Sequence, residues 1–70
     1  MNLTINKTDK CLTIDEEVYP DCTVDTDKDF TLYPSDLIKN GYSHYFTFSR
    51  AALNRLKSIV PVNGIMVNVL

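Results

Sequence analysis

One stretch of this chain has the pattern of a long α-helix, and the remaining segments must supply a surface for it to lie on. In residues 50–60, Ala52, Leu53, Leu56, Ile59 and Val60 recur at helical spacing and form one apolar stripe. Arg50, Asn54, Arg55, Lys57 and Ser58 fill the other positions. Ser49 precedes the stripe and can accept a hydrogen bond from the first free amides. Pro61 disfavours helical geometry at Val60 and so ends the segment.

The other segments read as strands. Leu3-Thr4-Ile5 and Leu12-Thr13-Ile14 alternate apolar with polar, as half-buried strands do. The polar link Asn6–Lys10 has the length of a hairpin loop, although it lacks glycine. Val18, Cys22 and Val24 share one parity, and Pro20 interrupts them, which points to an edge strand or an irregular crossing. Phe30 and Leu32 share a face in a further short strand. Residues 34–41 read as a single helical turn near 35–40, with Ser35 as its cap, Asp36 at its positive end and Gly41 as its stop. Tyr42, His44, Phe46 and Phe48 then alternate with Ser43, Tyr45 and Thr47, the clearest strand pattern in the chain. Asn63-Gly64 signals a turn. Ile65–Leu70 is apolar enough on both faces to be a central strand. The predicted fold is α+β: a small, mainly antiparallel sheet with one C-terminal helix packed on one face. If the strands flanking the helix are adjacent and parallel, the crossover should be right-handed.

Seventy residues form one domain, 1–70. A chain this short buries only about 60% of the surface its unfolded form exposes, so it has little interior to give to a deep pocket. Hydrophobic residues at 44% and charged residues at 23% indicate a folded chain, not a disordered one. No apolar run reaches the roughly 20 residues of a membrane span. The first residues lack the basic and apolar regions of a secretory signal, and a cytoplasmic protein is expected. Cys11 and Cys22 are then free thiols, and the Asn2-Leu3-Thr4 glycosylation pattern is idle.

The net charge of −2 conceals a segregation. All nine acids fall in residues 1–36, which also hold Lys7, Lys10 and Lys28, for a net of −6. Residues 37–70 hold no acid and carry Lys39, Arg50, Arg55 and Lys57, a net of +4. Either the surface is polarised, or the two halves pair with each other in the fold.

Motifs for chemistry are incomplete. Asp25-x-Asp27-x-Asp29, with Asp36 at the twelfth place, has the outline of a calcium loop. Phe30 stands where such a loop needs glycine, and the twelfth residue is Asp in place of the longer Glu, so a plain acidic loop is the better reading. Zinc usually takes four Cys or His ligands, and the chain has only Cys11, Cys22 and His44. His44 is the only histidine, and no flanking motif supports a Cys22–His44 nucleophile pair. Neither a catalytic centre, a metal nor a cofactor is expected.

The expected function is therefore binding. The leading reading is a small acidic protein-binding module whose residues Asp15, Glu16, Glu17, Asp21, Asp25, Asp27 and Asp29 dock a basic surface of a larger protein. That surface could itself be a nucleic-acid-binding one. Inhibitors and modulators of the phage or mobile-element type have this size and character. An alternative is a nucleic-acid-binding module using Arg50, Arg55 and Lys57 on the basic helix. Four cations are few for that task, and the acidic half would repel a phosphate backbone. A second alternative is a self-associating subunit in which Ile65–Leu70 and the aromatic strand pair edges across a homodimer.

Overall fold

The computed structural model describes residues 2–38 and 46–70. Seven strands, one α-helix and one 3-10 turn follow in the order β1 (Leu3–Asn6), β2 (Cys11–Ile14), β3 (Glu17–Pro20), β4 (Thr23–Val24), β5 (Phe30–Leu32), the turn Pro34–Leu37, β6 (Phe46–Thr47), α1 (Arg50–Ile59) and β7 (Ile65–Val69). Five strands make one mixed sheet in the order β3-β2-β1-β7-β5, and β4 pairs with β6 in a separate ribbon. Every pairing is antiparallel except that of β1 with β7. This is the expected α+β class.

The first three strands form by local chemistry. β1 and β2 pair with Leu3 opposite Ile14 and Ile5 opposite Leu12, so the alternation of both strands places the same four side chains on one face. All four are fully buried. The Asp15-Glu16 link to β3 is a two-residue hairpin loop, and Asp15 adopts a φ of 54°, a left-handed conformation that Asp tolerates. β3 is an edge strand, as Pro20 implied, and its proline closes the strand where a missing N–H disturbs least. The expected common face of Val18, Cys22 and Val24 does not form. Val18 is 64% exposed and Cys22 is fully buried, because Asp21, at a φ of 61°, turns the chain between them.

The helix begins and ends where its sequence signals lie. The Ser49 side chain accepts a hydrogen bond from the Ala52 amide, and Val60 before Pro61 is extended. Ala52, Leu53 and Leu56 are buried in the common core, with Ile59 and Val60 packed at its margin. The 3-10 turn is shorter than expected, and Ser35 is not its cap. Tyr33 holds that position, and its amide donates to the Asp36 carboxylate at 2.8 Å. Gly41, the expected stop, lies outside the described residues, as do Tyr42, Ser43, His44 and Tyr45 of the aromatic strand. The described end of that strand, β6, pairs with β4, with Thr47 opposite Thr23 and Phe46 opposite Val24. β6 and β7 therefore belong to different sheets, and the condition for a strand–helix–strand crossover is not met.

One face of the five-stranded sheet carries the core: Leu3, Ile5, Leu12, Ile14, Leu32 and Val67 are all fully buried. Cys22, Leu37, Phe46 and Phe48 join them from the ribbon and loops. Phe46 stacks on Phe48 with ring centres 4.4 Å apart and on Phe30 at 5.7 Å. β7 is central, as its composition implied, yet its second face is open: Met66 is 52% exposed and Asn68 is exposed as well.

Leu56 joins helix to sheet with no exposed surface, so Leu56→Ala should cost about 2–5 kcal/mol. In a domain of this size that is a large part of the total, and urea unfolding followed by circular dichroism should show a mostly unfolded chain. Gly64 has a φ of +84°, and an added Cβ would sit 2.7 Å from the Thr31 methyl and 2.9 Å from the Tyr33 ring. Gly64→Ala should therefore lose about 1–3 kcal/mol in the same assay.

Candidate binding surface

Strand register sorts the acidic residues into two groups. β1 starts beside the end of β2, and the hydrogen bond from the Asp15 amide to the Asn2 carbonyl (2.8 Å) closes that end of the sheet. Asp15, Glu16 and Glu17 lie there. The opposite end is built from three segments. The β1–β2 loop, residues 7–10, holds Asp9. Asp21 follows Pro20, which pairs with Cys11, and the Cys22 amide donates to the Lys10 carbonyl at 3.0 Å. Residues 25–29 lead into β5, whose Phe30 pairs with Val67 near the end of β7. Asp9, Asp21, Asp25, Asp27 and Asp29 thus share one end, with Lys7, Lys10 and Lys28 among them, for a local net of −2.

The seven expected docking residues are therefore not one patch. Asp15, Glu16 and Glu17 stand at one end of the sheet, and Asp21, Asp25, Asp27 and Asp29 stand at the other. Several carboxylates also have internal work. Asp27 forms an ion pair with Lys7. Asp29 accepts from the Val69 amide at 2.8 Å and so fastens the loop to β7. Asp15 accepts from the Asn2 amide at 3.0 Å. Glu17 lies 3.7 Å from the Arg55 guanidinium, the one contact among the described residues that joins the acidic and basic halves as an ion pair. Among the described residues, Asp9, Asp21, Asp25 and Glu16 form no ion pair. The loop also holds its own shape: the Asp9 amide donates to Asn6 Oδ1 at 2.9 Å, and the Lys28 amide to Thr26 Oγ1 at 3.2 Å.

The calcium outline does not assemble. Asp27 turns to Lys7, Asp29 to β7, and Asp36 to the amide of Tyr33. Among the described residues, no group of three or more His, Cys, Asp or Glu could hold a metal ion. Both cysteines are free, Cys11 partly exposed on β2 and Cys22 buried beside Ser49, whose amide lies 3.5 Å from its sulfur.

The basic helix divides too. Arg50 and Lys57 are two turns apart and share an exposed flank, whereas Arg55 lies round the helix, beside Glu17. The three cations do not form one stripe along which a phosphate backbone could run. Edge pairing by Ile65–Leu70 is also excluded for β7, because β1 and β5 occupy both of its edges. Among the described residues, no helix is long and apolar enough to cross a membrane.

One surface has no counterpart in the expectations. Opposite the core, the sheet presents Thr4, Thr13, Thr31, Val18, Met66 and their neighbours, and no strand residue on that face is charged. The signal was present in the sequence, since the second parity of each strand lacks Asp, Glu, Lys and Arg, but it becomes visible only once the strands are aligned.

Asp29→Ala removes the acceptor for the Val69 amide and should cost about 1 kcal/mol. Asp25→Ala, at an exposed position with no such contact, should stay within about 0.5 kcal/mol of the parent. Urea midpoints of the two variants measure the difference.

No protein-family model, curated protein or solved structure matches this chain.

Proposed function

We propose that this protein is a small, non-catalytic protein-binding module that docks a basic surface of a larger protein through the loop end of its sheet. The observation that carries the reading is the convergence of Asp9, Asp21, Asp25, Asp27 and Asp29 from three separate segments onto one end of a frame whose core is already complete. Asp9, Asp21 and Asp25 supply the free negative charge, while Asp27 and Asp29 hold the loops in place. Preformed charge of this kind acts mainly on the rate and selectivity of encounter with a cationic partner. Asp15, Glu16 and Glu17 face the other way and take no part in the same contact. The inhibitor or modulator class, of the type phages and mobile elements encode, fits a module of this size, and a basic nucleic-acid-binding enzyme would be a suitable target.

The test is affinity capture from extracts of the native host at two ionic strengths. Between about 0.1 M and about 1 M salt the Debye length falls from ~10 Å to ~3 Å, so a partner held by exposed charge should be released. Asp21→Asn with Asp25→Asn should lose the same partner, and Glu16→Gln should keep it. Capture that is indifferent both to salt and to the paired Asn substitutions would refute the reading.

A further inference from the structure

Asparagine is among the thermolabile residues. Its side-chain amide carbon lies within reach of the next residue's main-chain nitrogen, and a glycine there leaves that nitrogen unshielded. Among the described residues, only Asn63 is an asparagine followed by glycine. It is exposed, in the turn that joins α1 to β7. The fold fixes its neighbour as glycine: Gly64 has a φ of +84°, and a Cβ there would stand 2.7 Å from the Thr31 methyl. A reactive pair is thus a by-product of packing β5 against β7. The same turn restrains the reaction. The Gly64 amide donates to the Pro61 carbonyl at 2.9 Å. Neither Val62 nor Asn63 has a positive φ, so the turn is type I, with a ψ of about 0° at Asn63. That conformation turns the Gly64 nitrogen away from the Asn63 side chain. Attack therefore needs the hydrogen bond to break and the main chain at Asn63 to rotate.

We propose that Asn63-Gly64 is a site of spontaneous deamidation and that the type I turn holds it in check. When the turn opens, the Gly64 nitrogen gives up its proton and bonds to Asn63 Cγ. The Cγ–Nδ2 bond breaks, and ammonia leaves with one proton gained, so that a succinimide ring remains. Water then opens the ring. Attack at Cγ gives aspartate at position 63, and attack at the main-chain carbonyl carbon gives isoaspartate. No oxidant or reductant is needed. The two products differ in consequence. Aspartate adds a carboxylate to residues 37–70, which hold none, at an exposed position. Isoaspartate runs the main chain through Cβ. It adds a methylene directly before Gly64, where Thr31 and Tyr33 already crowd the backbone, and it displaces the entry to β7, the strand held between β1 and β5. Isoaspartate should therefore disturb the fold, and aspartate should not. This inference is independent of the proposed acidic contact, which uses another part of the molecule.

The test incubates the purified protein folded and, in parallel, unfolded in guanidinium chloride, with conversion followed by peptide mapping and mass spectrometry. Mapping separates Asn63 from Asn40, which also precedes a glycine. In the unfolded chain Asn63 should convert, and faster at mildly alkaline than at neutral pH, because the attacking nitrogen must lose a proton. In the folded protein it should convert about tenfold or more slowly. That slowing should match, within about threefold, the slowing of hydrogen exchange at the Gly64 amide, since one local opening frees the nitrogen for both reactions. Asn63→Gln, which would have to close a larger ring, should show no conversion at this position and keep the parent's circular dichroism. The isolated isoaspartyl form should unfold at a lower urea concentration than Asn63→Asp, which should match the parent. No conversion at Asn63 in the unfolded chain would overturn the site. Equal rates in the two states, or a slowing unrelated to Gly64 exchange, would overturn the restraint by the turn. An isoaspartyl form as stable as Asn63→Asp would overturn the consequence for the fold.

Discussion

The parallel ladder between β1 and β7 is the interaction on which the rest of the molecule depends. It sets Leu3 beside Val67 and Ile5 beside Val69, joining strands from opposite ends of the sequence. No short turn can make this contact, so almost the whole chain must be enclosed in the loop that closes it. The entropy of such a closure grows only slowly with loop length, but it is spent before any contact in the ladder forms. Burial offsets it: Leu3, Ile5 and Val67 are fully removed from water, and the helix and the 3-10 turn lie over the same core. Once β7 is in the middle, β5 has an edge to join and Asp29 has an amide to hold. A fold arranged around so non-local a pairing should form slowly for a chain of this length.

The same arrangement divides the surface by chemistry. One face of the sheet is committed to the core. The other is neutral, and the charges are displaced to the two ends and to the helix. The acidic half of the sequence becomes two acidic ends, since each antiparallel turn sends the next loop to the other end of the sheet. Arg55 meets Glu17 at the outer strand, whereas Arg50 and Lys57 remain exposed on another flank. Exposed pairs of this kind contribute little to stability, so the separation of charge does little to hold the fold together.

Elements set by neighbouring residues were legible in the sequence. Ser49 and Pro61 bound the helix because capping and the steric demands of proline act within a few residues. Leu3, Ile5, Leu12 and Ile14 announced a shared face because strand parity is a local property. Pro20 marked an edge for the same reason. Where the structure departs from the local signals, one residue changes the geometry: the left-handed Asp21 separates Val18 from Cys22, and the 3-10 turn has its cap one residue before Pro34, at Tyr33, whose amide donates to Asp36. The position of β7 was read correctly from its composition, yet the reason differs. It has strands on both edges, but only one of its faces is covered.

By itself, then, the sequence determined the helix and its ends, the shared buried face of β1 and β2, and the division of charge along the chain, because helix caps, strand periodicity and side-chain type act over short range. Only the tertiary structure decided which strands are neighbours, that β6 leaves the main sheet, that the carboxylates occupy two ends, and that a neutral face remains open. Those outcomes depend on which distant segments bury apolar surface against each other, and a linear pattern of residues carries no record of that pairing until the strands are in register.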